Sequence, residues 1–194
     1  MIRWILEADR TIFYLINKKL SFSWLDNIML LLREALTWIP LYLFFLLFFY
    51  SNCRRYLLSI VSLSLLTFAI TDFLSAGILK PFIARLRPCH DMNLGFTLNN
   101  IAGCGGVFGM PSSHASNHFG LATFWYIVIA HTLEMKWVWL FVWAFAICYA
   151  QVYVGVHFPT DVLAGALVGT LVGFGTGTLY KRRVSDTLNS IESA

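Results

Sequence analysis

The chain is poor in charged residues, which make up only 12% of its 194 positions, whereas 58% are hydrophobic. That balance leaves too little polar surface to cover a water-soluble globule, so composition argues against a soluble domain. Several apolar runs approach or exceed the roughly 20 residues that a helix needs to cross a bilayer. We therefore predict an all-α integral membrane helical bundle, with residues 1–194 forming one domain.

The first 20 residues lack the uninterrupted apolar core and the small-residue cleavage site of a signal peptide. They interleave charged residues such as Arg3, Glu7 and Asp9 with large apolar ones, which is typical of an amphipathic helix at the membrane interface. Basic residues are scattered around apolar runs and form no single patch, although the net charge is +4. We therefore predict no nucleic-acid partner.

Five apolar segments are predicted to cross the membrane, at about residues 25–50, 56–78, 115–131, 137–156 and 162–180. A sixth span at the N-terminus is the alternative, and it would change only the side of the membrane on which the N-terminus lies. The basic connections at Arg54-Arg55, Lys136 and Lys181 to Arg183 fall on one side, which the positive-inside rule makes cytoplasmic. The 80–113 loop and the 157–161 turn are therefore expected at the opposite face, towards the exterior or periplasm of a bacterial inner membrane.

Two patterns inside the spans indicate how the helices pack. Gly165, Gly169, Gly173 and Gly177 recur at every fourth position, so they share one helical face and allow a neighbouring backbone to come close. Asp72 is the one acid in the second span. Since its burial in lipid would cost roughly 2.5–3.5 kcal/mol, we expect it to face the protein interior.

Cysteine is scarce, with four residues, of which only Cys89 and Cys104 share the predicted outward loop. In an oxidising compartment a bridge closing this loop could stabilise it by about 3 kcal/mol. Two free thiols are the alternative. The spacing is unlike a zinc site, because no second close Cys or His pair completes it.

Polar residues gather in clusters at the edges of apolar segments. Lys80 and Arg87 offer two cations, and arginine can bind phosphate with two hydrogen bonds at once. Ser112, Ser113 and His114 stand where a new helix is predicted to begin. Free backbone N–H groups and the positive end of the helix dipole make that helix start an anion site.

A third cluster is formed by His157 and Asp161, which lie one helical turn apart. The carboxylate could hold one ring nitrogen and leave the other free as a nucleophile or base. Together with His114 as general acid, this pair suggests phosphoryl transfer through a phosphohistidine. Zinc bound by His114, His118 and His157 is the competing interpretation. The neighbouring cations would repel a metal ion, so we predict no metal and no cofactor.

The three clusters together resemble the three-part motif of the type 2 phosphatidic acid phosphatase superfamily, which includes the bacterial membrane lipid phosphatases. The matching elements are Lys80-x6-Arg87-Pro88, Pro111-Ser112-Ser113-His114 and His157-x3-Asp161, within a similarity covering residues 72–165. The resemblance implies a metal-independent phosphatase with His157 as nucleophile, Asp161 as its partner and His114 as acid. It also implies that Lys80, Arg87 and Ser113 hold the phosphate.

The chain departs from the family pattern in two places. Ser113 stands where the family usually has glycine, and Ala150-Gln151 replaces the usual Ser-Arg at the start of the third element. A neutral amide at Gln151 can donate hydrogen bonds to phosphoryl oxygens but brings no charge. We therefore keep Gln151 among the predicted substrate-binding residues, and either Arg85 or Arg33 could supply the missing charge.

The sequence thus predicts an outward-facing membrane phosphatase acting on a lipid phosphate or diphosphate, with undecaprenyl diphosphate as leading substrate. Phosphatidylglycerol phosphate and the lipid A phosphates are alternatives. An inactive lipid-binding or transport-related relative is the rival suggested by Gln151, and intact His114, His157 and Asp161 argue against it. A channel or transporter should carry ionisable groups at several depths, whereas here they concentrate at one face. The oligomeric state is not predicted.

Overall fold

The protein is helical along almost its whole length. The computed structural model describes residues 2–92 and 94–192, so Met1 of the predicted interfacial segment 1–20 lies outside it. The helices are α1 (Ile2–Tyr14), α2 (Ser23–Arg33), α3 (Ile39–Asn52), α4 (Leu57–Asp72), α5 (Lys80–Ile83), α6 (Ser113–Thr132), α7 (Trp139–Tyr153) and α8 (Pro159–Glu192). Short π segments extend α1 and α4, and the described residues form no β-strand, which confirms the all-α class.

Among the described residues, three helical stretches are long and apolar enough to cross a bilayer, namely Ala35–Asn52, Arg54–Ile83 and Pro159–Ser185. The 20-residue α6 and the shorter apolar α7 coincide with the other two predicted spans. The predicted span at 25–50 is divided, because α2 ends at Arg33 and Glu34 is extended before a new helical turn starts. The charged pair Arg33-Glu34 therefore marks a helix boundary, which leaves Arg33 at the end of α2.

Helix α6 packs against α4, α7 and α8, and its contact with α8 is the most extensive. A Cβ at Gly165 or Gly169 would overlap the carbonyl oxygens of Ser112 and Ser116, so the helices touch backbone to backbone. The predicted glycine face of α8 is thus turned towards α6. At the same contact the Ser112 amide donates to the Asp161 carbonyl, at 2.9 Å, and joins the starts of the two helices.

The far end of the bundle carries the basic connections. There the ring of Tyr180 lies 6.4 Å from the rings of both Tyr56 and His131, and its hydroxyl is 2.7 Å from that of Thr132. The ends of α6 and α8 and the start of α4 therefore meet at one end. The connections at Arg54-Arg55, Lys136 and Lys181 to Arg183 adjoin these helix ends, opposite the three polar clusters.

Helix α1 is packed into the bundle along one face and exposed on the other. Asp9, Phe13 and Asn17 recur at every fourth position and are buried, whereas Trp4 and Ile5 are exposed. Asn17 donates from Nδ2 to a backbone carbonyl at the end of α7, at 2.7 Å. The helix is amphipathic as predicted, and its location at the membrane interface stays a prediction.

Candidate active site

The first two clusters meet through a direct side-chain contact. Lys80 Nζ donates to Ser113 Oγ at 2.9 Å, and Ser113 is the first residue of α6. Ser112 precedes it with an extended backbone, and its carbonyl accepts from the Ser116 amide at 3.0 Å. The hydroxyl of Ser112 is buried and has no partner among the described residues. A cation and a hydroxyl thus stand together at the free N–H end of a long helix.

Arg87 is held by the loop that leads to α6. Its guanidinium donates to the carbonyls of Cys104, at 2.9 Å, and Phe108, at 3.2 Å. Cys89 and Cys104 are joined by a disulfide, with their Cα atoms 5.8 Å apart, so the bridge fixes the carbonyl that orients Arg87. Burial and the nearby charge of Arg33 lower the pKa of Arg87 from its ordinary value. The loop therefore presents one oriented cation.

The third cluster lies in the turn from α7 to α8. His157 is 1% exposed, and its Nδ1 stands 3.6 Å from Asp161 Oδ2, slightly beyond hydrogen-bond distance. The Phe158 amide donates to the same Oδ2 at 2.9 Å, and Arg85 donates to Oδ1 at 2.8 Å. A Cβ at Gly109 would lie only 2.7 Å from Oδ2, so the loop backbone closes over the carboxylate. Asp161 is therefore fixed from several sides beside the imidazole.

Burial and two nearby cations favour a neutral imidazole at His157. Burial is the largest cause and lowers the pKa of His157 below 6.5, while Asp161 acts in the opposite direction. The positive charges of Arg87 and Lys80 add to the lowering, which puts both cations within electrostatic reach of the ring. With Nδ1 facing Asp161, the neutral ring offers Nε2 as the nitrogen available for attack.

His114 lines a pocket of about 220 Å³. The other side chains of this pocket that carry a polar group are Arg33, Tyr42, Asp72, Ser113, Asn117 and His118. His118 Nδ1 lies 2.8 Å from the His114 carbonyl and its ring packs edge-on to Trp143, so His118 is held structurally. Asp72 accepts from Asn117 at 3.2 Å. His114 thus stands in a largely apolar pocket that also carries these polar side chains, close enough to Lys80 and His157 to interact electrostatically.

Gln151, which replaces the expected arginine, is fully buried in α7, and neither of its amide atoms has a partner among the described residues. Arg85, the first candidate for the missing charge, is occupied by ion pairs with Asp9 and Asp161. Arg33, the second candidate, lines the His114 pocket from the end of α2. Since α2 packs against α7, Arg33 approaches from the helix next to that of Gln151.

One acidic side chain at this end was not predicted from the sequence. Asp9 is buried against the start of α8, where it contacts Arg85 and Thr160. The four-residue spacing of Asp9, Phe13 and Asn17 was available as a signal, because it places Asp9 on the same buried face as Phe13 and Asn17. Other charged residues on α1, such as Arg3, Glu7 and Arg10, made Asp9 look like one more exposed charge.

Within residues 2–92 and 94–192, His, Cys, Asp and Glu side chains come close enough to share a metal at Cys89, His90 and Cys104. The disulfide already occupies both of these sulfur atoms. The group therefore does not fit a thiolate metal site.

Fold and site together define a class: a multi-pass membrane bundle whose helix starts bring two histidines, a carboxylate and several cations to one end. The chain belongs to the PAP2 superfamily, whose family model matches residues 60–185. This match confirms the resemblance drawn from the three motifs.

Similar proteins come from several bacteria. The chain is 35% identical over 123 residues to the lipid A 4'-phosphatase of Porphyromonas gingivalis, covering 62% of this chain and 52% of that protein. It is 32% identical over 129 residues to the enzyme of the same name from Bacteroides thetaiotaomicron, covering 64% and 56%. The chain thus spans about half the length of the curated relatives it matches.

Solved structures share the fold. A PAP2-type phosphatidylglycerolphosphate phosphatase from Bacillus subtilis matches with a TM-score of 0.71 and 23% identity, covering 92% of this chain and 87% of that one. Aquifex aeolicus LpxE matches with a TM-score of 0.61 and 26% identity, covering 86% and 92%. At such identities the first of these likenesses supports the architecture alone.

Proposed function

We propose that the chain is a membrane lipid phosphatase, and that its leading substrate is the 4'-phosphate of lipid A. The observation that carries the phosphatase assignment is that the Ser112–Asp161 backbone hydrogen bond joins the His157–Asp161 pair to the Lys80–Ser113 contact at the start of α6. The two relatives named as lipid A 4'-phosphatases support the substrate. Undecaprenyl diphosphate, the leading substrate predicted from the sequence, is not named by these relatives. It is therefore the alternative substrate that the assay compares with lipid A.

The first chemical step is the transfer of the phosphoryl group to the enzyme. Nε2 of His157 attacks phosphorus, a P–N bond forms, and the P–O bond to the lipid breaks. His114 gives a proton to the departing lipid oxygen. Asp161 stabilises the positive charge that develops on the His157 ring, which its position beside Nδ1 allows.

The second step frees the enzyme. A water molecule attacks the phosphohistidine, His114 takes up the proton, and the P–N bond breaks to release inorganic phosphate. Lys80 and Arg87 balance the charge on the phosphoryl oxygens in both steps, and the α6 backbone amides add hydrogen bonds. Each of these roles is supplied by a side chain or amide of this chain.

We assign the third phosphate-binding cation to Arg33. Its guanidinium lines the same pocket as His114 and Ser113, and its Nε has no partner among the described residues. The one hydrogen bond it makes there, to the Ala102 carbonyl, is long at 3.5 Å. Arg33 therefore has donors available for a phosphoryl oxygen, whereas Arg85 is occupied by two carboxylates.

The orientation we propose puts this site on the outward face of the bacterial inner membrane. The basic connections gather at the opposite end of the bundle, which the positive-inside rule makes cytoplasmic. The Cys89–Cys104 disulfide supports this placement, because such bonds persist in oxidising compartments.

The test is phosphate release from a panel of purified lipids by the detergent-solubilised protein. The panel holds lipid A, undecaprenyl diphosphate and phosphatidylglycerol phosphate, and mass spectrometry identifies which phosphate of lipid A is lost. We expect the highest kcat/KM for lipid A, with loss at the 4' position, and background rates for His157→Ala.

The matched control is His131→Ala, which removes a histidine at the far end of the bundle and should retain wild-type activity. Full turnover by His157→Ala would refute the phosphohistidine route. A higher kcat/KM for undecaprenyl diphosphate would overturn the substrate assignment and leave the chemistry intact.

A further inference from the structure

A buried carboxylate on the N-terminal helix takes no direct part in the proposed phosphoryl transfer. Asp9 is 2% exposed, and its carboxylate accepts hydrogen bonds from the Thr160 amide at 2.8 Å and the Thr160 hydroxyl at 2.7 Å. It also accepts one from Arg85 at 2.5 Å. A buried charge is costly unless it is paired and hydrogen-bonded, and here the partners, Thr160 and Arg85, lie at the catalytic end of the bundle.

Arg85 connects Asp9 to the predicted partner of the nucleophile. One terminal nitrogen of its guanidinium donates to Asp9 and the other donates to Asp161 Oδ1 at 2.8 Å. The guanidinium carbon lies 4.4 Å from the centre of the Phe158 ring, and Phe158 packs in turn on Phe13 of α1. Because the guanidinium is planar and rigid, fixing one end of it fixes the direction of the other.

Asp9 also holds the backbone next to Asp161. The Thr160 amide belongs to the first turn of α8, where N–H groups have no partner inside the helix. A carboxylate at that position satisfies a free N–H group and interacts favourably with the helix dipole. Asp161 is the next residue, so Asp9 restrains it through both its side-chain partner and its backbone.

We propose that Asp9 is a positioning residue for Asp161, acting from α1 through Arg85 and Thr160. Asp161 in turn orients His157, so the inference rests on the proposed function. Asp9 itself contacts neither histidine nor the phosphate-binding cations. The N-terminal helix thereby becomes part of the catalytic framework, which is a role distinct from membrane attachment.

The decisive variant is Asp9→Asn, which keeps the shape and an acceptor for the Thr160 amide but removes the charge that holds Arg85. We expect kcat to fall about tenfold to hundredfold, because small displacements of a catalytic group are costly. KM should stay within about threefold, since no phosphate contact is lost. The matched control is Glu7→Gln, which removes an equal charge from the exposed face of the same helix and should leave kcat unchanged.

A pH profile separates positioning from simple loss of structure. The charged or titratable groups that face His157 or its carboxylate are Asp161 and Arg85, with Lys80, Arg87 and His114 from other elements. Removing the charge of Asp9 leaves Arg85 opposed by Asp161 alone, so the field at His157 becomes more positive. The acidic limb of kcat/KM should therefore move to lower pH, whereas a smaller folded fraction would scale the profile without moving it.

A double-mutant cycle gives a second readout. If Asp9 acts through Arg85, Asp9→Asn and Arg85→Lys should together cost about as much as the more damaging single change. Additive losses would overturn the proposal, as would a kcat for Asp9→Asn within twofold of wild type. A fall explained by the folded fraction, with the acidic limb unmoved, would reduce Asp9 to a structural residue and overturn it too.

Asp9→Glu covers the case in which Asp9→Asn does not fold. This variant keeps the charge and shifts the carboxylate by one methylene. A lower kcat with an unchanged Tm supports positioning, and an unchanged kcat refutes it. Activity retained by His157→Ala would instead refute the proposed function. The Asp9 variants do not bear on that result, so the two failures can be told apart.

Discussion

Replacing Arg33 by alanine tests whether this residue has taken the place of the arginine that the family carries where this chain has Gln151. Arg33 ends α2, lines the His114 pocket, and has an unpartnered Nε. It also lies close enough to Arg87 for its charge to lower the pKa of that residue. We therefore expect the substitution to act on phosphate binding while leaving the bundle intact.

The magnitude follows from the contacts that Arg33 can make. Its one hydrogen bond within the described residues is long, at 3.5 Å, so its removal should cost the fold little. A hydrogen bond between charged groups contributes about 1.5–3 kcal/mol. Because about 1.4 kcal/mol corresponds to a factor of ten, kcat/KM should fall roughly tenfold to hundredfold.

The assay is steady-state phosphate release combined with a rescue cycle. Gln151→Arg is introduced into Arg33→Ala and, separately, into Arg85→Ala. We expect it to recover part of the loss only in the first background, since Arg33 and Gln151 sit on adjacent helices while Arg85 holds Asp161. Arg55→Ala, an exposed arginine at the far end, is the control and should show wild-type kinetics.

Two results would refute this reasoning. A kcat/KM for Arg33→Ala within twofold of wild type would show that Arg33 does not contact the phosphoryl group. Rescue of Arg85→Ala by Gln151→Arg, without rescue of Arg33→Ala, would make Arg85 the substitute cation. This result would also show that the ion pairs of Arg85 with Asp9 and Asp161 open when substrate binds.

Two further predictions concern the loop and the topology. A cysteine at Met92, which is 99% exposed, should be labelled by an impermeant reagent on intact cells, and one at Ser185 should be labelled only after permeabilisation; the reverse pattern would put the site in the cytoplasm. Because Cys89 and Cys104 are bridged, the unreduced denatured protein should titrate with two free thiols, and reduction should lower Tm and activity. The loss of stability should be about 3 kcal/mol, and four free thiols before reduction would rule the bridge out.

The features that the sequence predicted correctly depend on local patterns. Long apolar runs predict spanning helices whatever their neighbours are, because backbone groups in lipid must be satisfied within the helix. The family was predicted from three motifs, each recognised by the spacing of its residues, such as the four-residue step from His157 to Asp161. The assignments of catalytic and phosphate-binding roles stay predictions, and the structure brings these residues to one end of the bundle.

Local patterns also had a limit inside the first predicted span. The segment from 25 to 50 reads as nearly continuous, yet the backbone turns at Glu34 and divides it. The pair Arg33-Glu34 was visible as a charged interruption, but a charged pair alone does not say whether the helix continues through it. Side-chain identity showed where the apolar run weakens, and only the structure shows that one helix ends and another begins there.

By itself the sequence determined the all-α membrane architecture, the glycine face of α8 and the three motifs, since each is encoded in composition or in spacing along one helix. Only the tertiary structure decided which arginine is paired with carboxylates and which keeps an Nε without a partner among the described residues. The sequence offers no reason to prefer Arg85 or Arg33 as the third cation. In the structure Arg85 pairs with Asp9, which is distant in sequence, whereas Arg33 lines the His114 pocket. Such contacts join residues on different helices, and no periodicity within a single segment records them.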